Sequence, residues 1–275
     1  MTDQTIQSIH TALLSHEGLR RGEDGLAEID DILANEVPVA LVYNGISHAV
    51  MMASPCDLED FATGFSLAEG IVATAGEIRD IERTDHDVGI ELAITIPPSR
   101  FAGLKERRRS LTGRTGCGLC GIESLEVLAA TWPATPVGAG TVIAPAAIAT
   151  AMAGLAAGQV LNRESHAVHA AGFARADGTV EVVREDVGRH NAVDKLAGAL
   201  ARAGTNTGAG FLVVTSRCSY EIVQKAARAG FRIVCAVSAP TALAARLADE
   251  TGMTLVAFVR GERHTIFTHP ERISS

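Results

Sequence analysis

The sequence predicts a mixed α/β chain, α+β overall, in which a small N-terminal α+β roll precedes a larger α/β unit whose partly parallel sheet carries helices on both faces. Three observations carry this. Two apolar runs flank Asn44-Gly45, a strong short-range hairpin signal, and a helix-spaced segment follows them. In the second half an apolar run, a polar turn and a helical segment recur three times in succession, the rhythm of strands joined by crossover helices. Between the halves, the segment from Trp132 to Gly140 is rich in proline and glycine, and the boundary placed there divides residues 1–131 from 132–275.

The elements follow in order. A polar head runs to about Gly25. Glu36 to Tyr43 and His48 to Ala53 read as two strands, and Pro55 ends the second. Asp57 is placed to cap a helix whose apolar positions Leu58, Phe61, Phe65, Leu67 and Ala68 recur at helical spacing, with Gly70 as its stop. Strand-like runs from Ile78 to Arg83 and Ile90 to Ile96 come next, before Pro97-Pro98 breaks the pattern. Ile122 to Ala130 reads as a helix, and Pro145 suits the first turn of another that reaches about Gln159. Ala167 to Arg175 and Thr179 to Arg184 flank Asp177-Gly178 as a second hairpin. The repeated units are Val180 to Val183 before Asn191 to Leu200, Phe211 to Val214 before Glu221 to Ala229, and Arg232 to Val237 before Thr241 to Asp249. Thr254 to Val259 and His264 to Thr268 form a closing strand pair.

Composition narrows the function. The 275 residues carry 24 Lys and Arg against 32 Asp and Glu, a net charge of −8, so nucleic acid is not the expected partner. Five cysteines is an odd number, and the first residues lack the basic head and apolar core of a secretion signal. The expected compartment is therefore reducing and cytoplasmic, where cysteines serve chemistry or metals before they serve as staples. Val127 to Asn162 holds no charged residue, but its prolines, glycines and alanines suit a linker and a buried helix better than a membrane span.

The sharpest local motif is Thr115-Gly116-Cys117-Gly118-Leu119-Cys120-Gly121, two thiols at C-x-x-C spacing among glycines. They stand just ahead of a helix start, where the dipole and free N–H groups favour thiolate, and Arg114 with Arg107, Arg108 and Arg109 adds positive charge. A structural zinc would need four ligands, yet no second C-x-x-C exists and Cys56, Cys218 and Cys235 are scattered. A redox pair and sulfur-carrying thiols both remain open.

Glu185-Asp186-Val187-Gly188-Arg189-His190-Asn191-Ala192-Val193-Asp194-Lys195 is rich in ionisable residues and follows an apolar strand. Thr215 to Glu221 and Ser238 to Thr241 follow two further strands in the same way, the first with hydroxyls and Arg217, the second with Thr241 as a cap. Ligands of open α/β sheets bind outside the carboxyl ends of strands, so the three turns are expected to frame one crevice for a phosphate-bearing ligand. Phe258-Val259-Arg260-Gly261-Glu262-Arg263 turns between the last two strands. It is a plain hairpin reversal or a diphosphate and purine platform, since guanidinium groups both pair bidentately and stack.

Taken together, TGCGLCGIE, EDVGRHNAVDK, SRCSYEIVQKA, SAPTALA, AFVRGERHTIFTHPER and FATGFSLAEGIV resemble the formate dehydrogenase accessory proteins of the FdhD family over almost the whole chain. The resemblance implies a sulfurtransferase. A cysteine desulfurase would pass sulfur to the C-x-x-C loop as a persulfide, for delivery to molybdenum or tungsten in the bis-molybdopterin guanine dinucleotide cofactor before insertion into formate dehydrogenase. Cys117 is implied as the persulfide cysteine and Cys120 as its partner. Phe258, Val259, Arg260, Gly261, Glu262 and Arg263 match the family's cofactor-binding segment, with GDP as a fragment mimic, and a homodimer is expected. The resemblance also implies a cytidine-deaminase-like three-layer α/β/α fold for residues 132–275. Zinc deaminases need an H-x-E and a later P-C-x-x-C. Neither is here, so no metal ligands are expected.

Two alternatives come from other classes: a non-catalytic cofactor chaperone, and a thiol-disulfide redox protein. A hydrolase with Cys218 as nucleophile and His190 as base fits less well, because a nucleophile turn has glycines where this chain has Arg217 and Ser219.

Overall fold

In this computed structural model, residues 11–23, 25–110 and 140–274 are described. Where the sequence predicts a polar head to about Gly25, the described residues form an antiparallel ribbon, β1 (Leu13–Gly22) paired with β2 (Gly25–Ala34) from Leu13 opposite Ala34 to Gly22 opposite Gly25. Leu14, Leu19, Leu26 and Leu33 are all exposed. No face is buried, so no alternation marks these strands in the sequence, and backbone pairing alone defines them. Among the described residues the ribbon is anchored at its root, where Ala12 packs with Cys56, Leu161 and Val168.

At Asn44-Gly45 both residues take positive φ, 46° and 81°, as a tight two-residue hairpin requires. The turn joins β3 (Val37–Tyr43) to β4 (Ile46–Ala53). Helix α1 (Leu58–Ala68) follows, then β5 (Asp80–His86) and β6 (Gly89–Thr95). The sheet runs in the order β4-β3-β6-β5, with β3 and β6 parallel. Leu58, Phe61 and Phe65 of α1 pack on Leu41, Tyr43, Leu92 and Ile94 of this sheet. Asp57 does stand at the N-cap, but with φ 51° and no side-chain cap bond, and its carboxylate faces Arg184 instead at 3.7 Å. β6 ends at Thr95, just before Pro97-Pro98 as expected, and Pro98 also opens a helix that the sequence reading does not predict: α2 (Pro98–Ser110) places it in the first turn, where its missing N–H costs nothing.

The rest is three layers. Helices α3 (Pro145–Gly158) and α4 (Val160–Ser165) precede β7 (His169–Arg175) and β8 (Val180–Asp186); then come α5 (Arg189–Arg202), β9 (Gly210–Val214), α6 (Tyr220–Arg228), β10 (Ile233–Ala236), α7 (Ala242–Glu250), β11 (Thr254–Arg260) and β12 (Arg263–Thr268). The six strands lie in the order β12-β11-β10-β9-β7-β8, with β9, β10 and β11 parallel. Alternate side chains serve the two faces. Leu212 and Val214 pack with α5, α6 and α7, and Phe211 and Val213 with Ile148, Ala151 and Leu155 of α3. The predicted α/β/α layering and the three repeated units are thus present; the boundary at residues 131 and 132 lies outside the described residues. So does the helix expected over residues 122–130.

The two sheets are joined through α1, which presents one side to its own sheet and the other to α5. A Cβ on Gly64 would fall 1.7 Å from Asp194 O, and one on Gly198 would fall 1.9 Å from Asp60 O. The helices therefore cross backbone to backbone.

Candidate functional site

The carboxyl ends of β8, β9, β10 and β11 share one edge of the six-stranded sheet, because β7 runs antiparallel between β8 and β9. His169, at the start of β7, sits opposite Asp186 on that edge.

The first predicted turn is mostly structural. Asp186 and Lys195 are fully buried, with Lys195 Nζ 2.7 Å from the carboxylate. Asp186 also accepts from Ser54 N at 3.0 Å, Gly188 N at 2.7 Å and Asn191 Nδ2 at 3.0 Å. Lys195 further donates to Ser54 O at 3.0 Å and Glu185 O at 3.3 Å. Burial alone would lower the Lys195 pKa, but the Cys56 sulfur and Asp186 outweigh it and hold the ammonium charged. Glu185 accepts from Leu161 N and Asn162 N at 2.8 and 2.9 Å, closing the start of α4. Asp194 holds Lys225 through both oxygens at 2.8 Å, and burial pushes its carboxyl up to about 6 against that cation. Asp186, Asn191, Asp194 and Lys195 are thus saturated by the protein and cannot also frame a ligand crevice. This corrects the expectation for most of that motif. Arg189 and His190, both half-buried, are what it leaves at the edge.

The other turns are knitted to it. His190 Nε2 lies 3.3 Å from Ser219 Oγ and 3.4 Å from Glu221, and Ser219 Oγ donates to Glu221 at 2.7 Å. The His190 contact holds the Glu221 carboxyl down at about 2. Cys218 N donates to Ala239 O at 3.1 Å and Thr241 N to Cys218 O at 3.0 Å, joining the second turn to the third. Thr241 caps α7 as expected, accepting from Ala244 N at 3.2 Å. Cys218 itself is fully buried, and burial pushes its thiol up to about 12. With His190 turned to Ser219 and Glu221, a Cys218 nucleophile is not supported.

The hairpin tip adjoins the third turn. Phe258 N donates to Ser238 O at 3.3 Å, and Arg260 Nη1 donates to Val237 O at 2.5 Å and to Val259 O at 2.8 Å. A bulge between Ala257 and Arg260 puts Phe258 at φ 55°, a region that costs an aromatic residue energy and is retained where the surroundings enforce it. Phe258 is 48% exposed, and its ring stands 6.1 Å from that of Phe267, a residue 42% exposed. Gly261, Glu262 and Arg263 are exposed, while Val259 is buried in the core beside α3 and could meet a ligand only through its backbone. The tip can thus offer an aromatic face beside two guanidinium groups.

Sequence reading missed His169 and Phe267. His169 lies in no motif, and Phe267 falls in AFVRGERHTIFTHPER but outside its six-residue cofactor-binding segment; the β7–β8 register brings the first to the edge and the bulged β11–β12 pairing the second. Cys117 and Cys120 lie outside the described residues. Among the described residues, no group of three or more His, Cys, Asp and Glu could hold a metal, and no helix is long and apolar enough to cross a membrane. Two cavities of about 440 and 300 Å³ flank the α1–α5 crossing, away from this edge.

Comparison with known proteins supplies the context. A relative from Cupriavidus necator, named sulfur carrier protein FdhD, is 54% identical over 254 residues, 92% of this chain and 87% of its own. One of the same name from Xanthomonas oryzae pv. oryzae is 47% identical over 274 residues, 100% of this chain and 97% of its own. A solved structure from Desulfotalea psychrophila, provisionally described as a formate dehydrogenase accessory protein, aligns with a TM-score of 0.74 at 27% identity, covering 96% of this chain and 100% of that one. The model of the FdhD/NarQ family matches residues 34–274, and the chain belongs to that family.

Proposed function

We propose that this chain is a cytoplasmic, homodimeric sulfur carrier that takes sulfur from a cysteine desulfurase and passes it to the molybdenum or tungsten of a bis-molybdopterin guanine dinucleotide cofactor bound for formate dehydrogenase. The observation that carries this is the near-full-length identity, 54% and 47%, with two relatives named as sulfur carriers. The chemistry rests on Cys117 and Cys120. The Cys117 thiolate would attack the terminal sulfur of the desulfurase persulfide, forming a new S–S bond as the donor leaves as thiolate. Cys120 would shield or relay that sulfur. Phe258 to Arg263 would hold the guanine nucleotide end of the cargo, with the exposed Phe258 face for the base and the guanidinium groups for its phosphates.

Intact mass after incubation with a cysteine desulfurase and cysteine tests the first half. We expect a gain of one sulfur atom, lost in Cys117→Ala together with formate dehydrogenase maturation, and reduced less in Cys120→Ala. A Cys117→Ala protein that still acquires and delivers sulfur would refute the assignment, and a wild-type protein that matures the enzyme without ever carrying sulfur would favour a cofactor chaperone.

The tip has its own test in GDP binding by calorimetry. Arg263 has no partner among the described residues, whereas Arg260 is spent in part on the carbonyls of Val237 and Val259. Arg263→Ala should therefore weaken GDP binding by about 1.5–3 kcal/mol, the range for one charged hydrogen-bond partner, without affecting sulfur loading. Arg260→Ala should weaken it too, with some local loosening of the hairpin. Unchanged affinity in both variants would move the nucleotide elsewhere.

A further inference from the structure

Arg189 is anomalous on the sheet edge. Its Nε is fully buried with no hydrogen-bond partner, and among the described residues it makes no ion pair. Arg272 Nε shares the first condition, but that guanidinium donates to Thr254 Oγ1 at 3.2 Å and lies 3.6 Å from Glu271. A buried donor with no acceptor is costly, and such groups call for a partner that the chain does not supply.

The carboxylates of this edge are already engaged. Asp186 is held by Lys195, Ser54, Gly188 and Asn191, and Glu221 by His190 and Ser219. Positive charge is left over. His169 stands opposite Asp186 in the ladder, and its imidazole pKa is lowered first by burial and then by Arg189 and His190. Only Val187 and Gly188 separate the end of β8 at Asp186 from Arg189 and His190, which open α5, so the ladder puts His169 at the same end of the sheet as both.

We propose that His169, Arg189 and His190 form a binding site for a phosphate or diphosphate group, separate from the hairpin tip. A guanidinium can fork two phosphate oxygens, and the two imidazoles donate to the remainder once protonated. The anion gives the buried Arg189 nitrogen an acceptor and cancels the charge that now opposes His169. This rests on the reading of a phosphate-bearing cargo and names where on the second sheet one of its phosphate groups sits.

Imidazole NMR of His169 and His190 tests it, with inorganic pyrophosphate and GDP as separate titrants. Either titrant should make both rings protonate at higher pH. Arg189→Ala should weaken that response about tenfold or more, the loss expected for one charged partner, and Arg189→Lys should keep part of it. Movement with GDP alone assigns the group to the nucleotide, and movement with pyrophosphate alone to a free anion; both sustain the site. Rings unmoved by millimolar amounts of either, or affinities unchanged in Arg189→Ala and His169→Gln, overturn it. GDP bound at the tip with both rings still would remove this site and leave the cargo reading standing. Responsive rings on a protein that never takes sulfur from a desulfurase would do the reverse.

Discussion

Lys195→Met should cost the protein about 3–5 kcal/mol, the range for removing one partner of a buried ion pair, and so a large part of a total that is typically 5–15 kcal/mol. The reason is what remains. Asp186, fully buried, keeps its hydrogen bonds from Ser54 N, Gly188 N and Asn191 Nδ2 but loses the ammonium 2.7 Å from its carboxylate, and two carbonyls lose a donor. Ser54 lies between β4 and α1, so the damage falls where the two sheets are tied together. Urea unfolding measures it. The double variant Lys195→Met/Asp186→Asn should be milder than the single one, because it buries no uncompensated charge. Arg83→Ala, which breaks an exposed pair of 2.7 Å on β5, should change stability by less than about 1 kcal/mol. A Lys195→Met midpoint equal to that of the wild type would show that the pair contributes nothing.

That motif also shows where sequence reading stops. Its position after an apolar strand was legible, and so were the turn, the helix and the repeated units, because strand and helix periods are local properties. Which of its charged residues face a ligand was not legible. Asp186 and Lys195 are nine positions apart and meet only because α5 folds back over the edge of β8. A partner they share, Ser54, follows the last strand residue of β4, which belongs to the other sheet. The same limit applies to the first ribbon, which has no buried face to write an alternation into the sequence, and to Phe258, whose left-handed backbone depends on a bulge. Asn44-Gly45 and the Thr241 cap were readable for the opposite reason, since the residue type itself performs the local task.

Gly198→Val should prevent folding to a soluble form or lower stability by about 3 kcal/mol or more, at or beyond the usual cost of overpacking. Helix propensity argues the other way, since replacing a mid-helix glycine by alanine is worth up to about 1 kcal/mol. Geometry decides. The first atom of any side chain at Gly198 would meet Asp60 O at 1.9 Å and Gly64 N at 2.8 Å, and at Gly64 it would meet Asp194 O at 1.7 Å. These are backbone atoms within helices and cannot rotate away, so α1 and α5 must part. Parting them strains contacts on the same crossing: Asp60 to Arg184 at 2.8 Å and to Arg202 at 2.6 Å, and Asp194 to Lys225 at 2.8 Å. Even Gly198→Ala and Gly64→Ala should therefore destabilise. Gly103→Ala in α2, where an added methyl meets nothing within 4 Å, should be neutral or stabilising by about 0.5–1 kcal/mol. Equal urea midpoints for Gly198→Ala and the wild type would mean that the crossing yields more readily than backbone contact allows, and would remove close helix approach as the reason for glycine in the FATGFS segment.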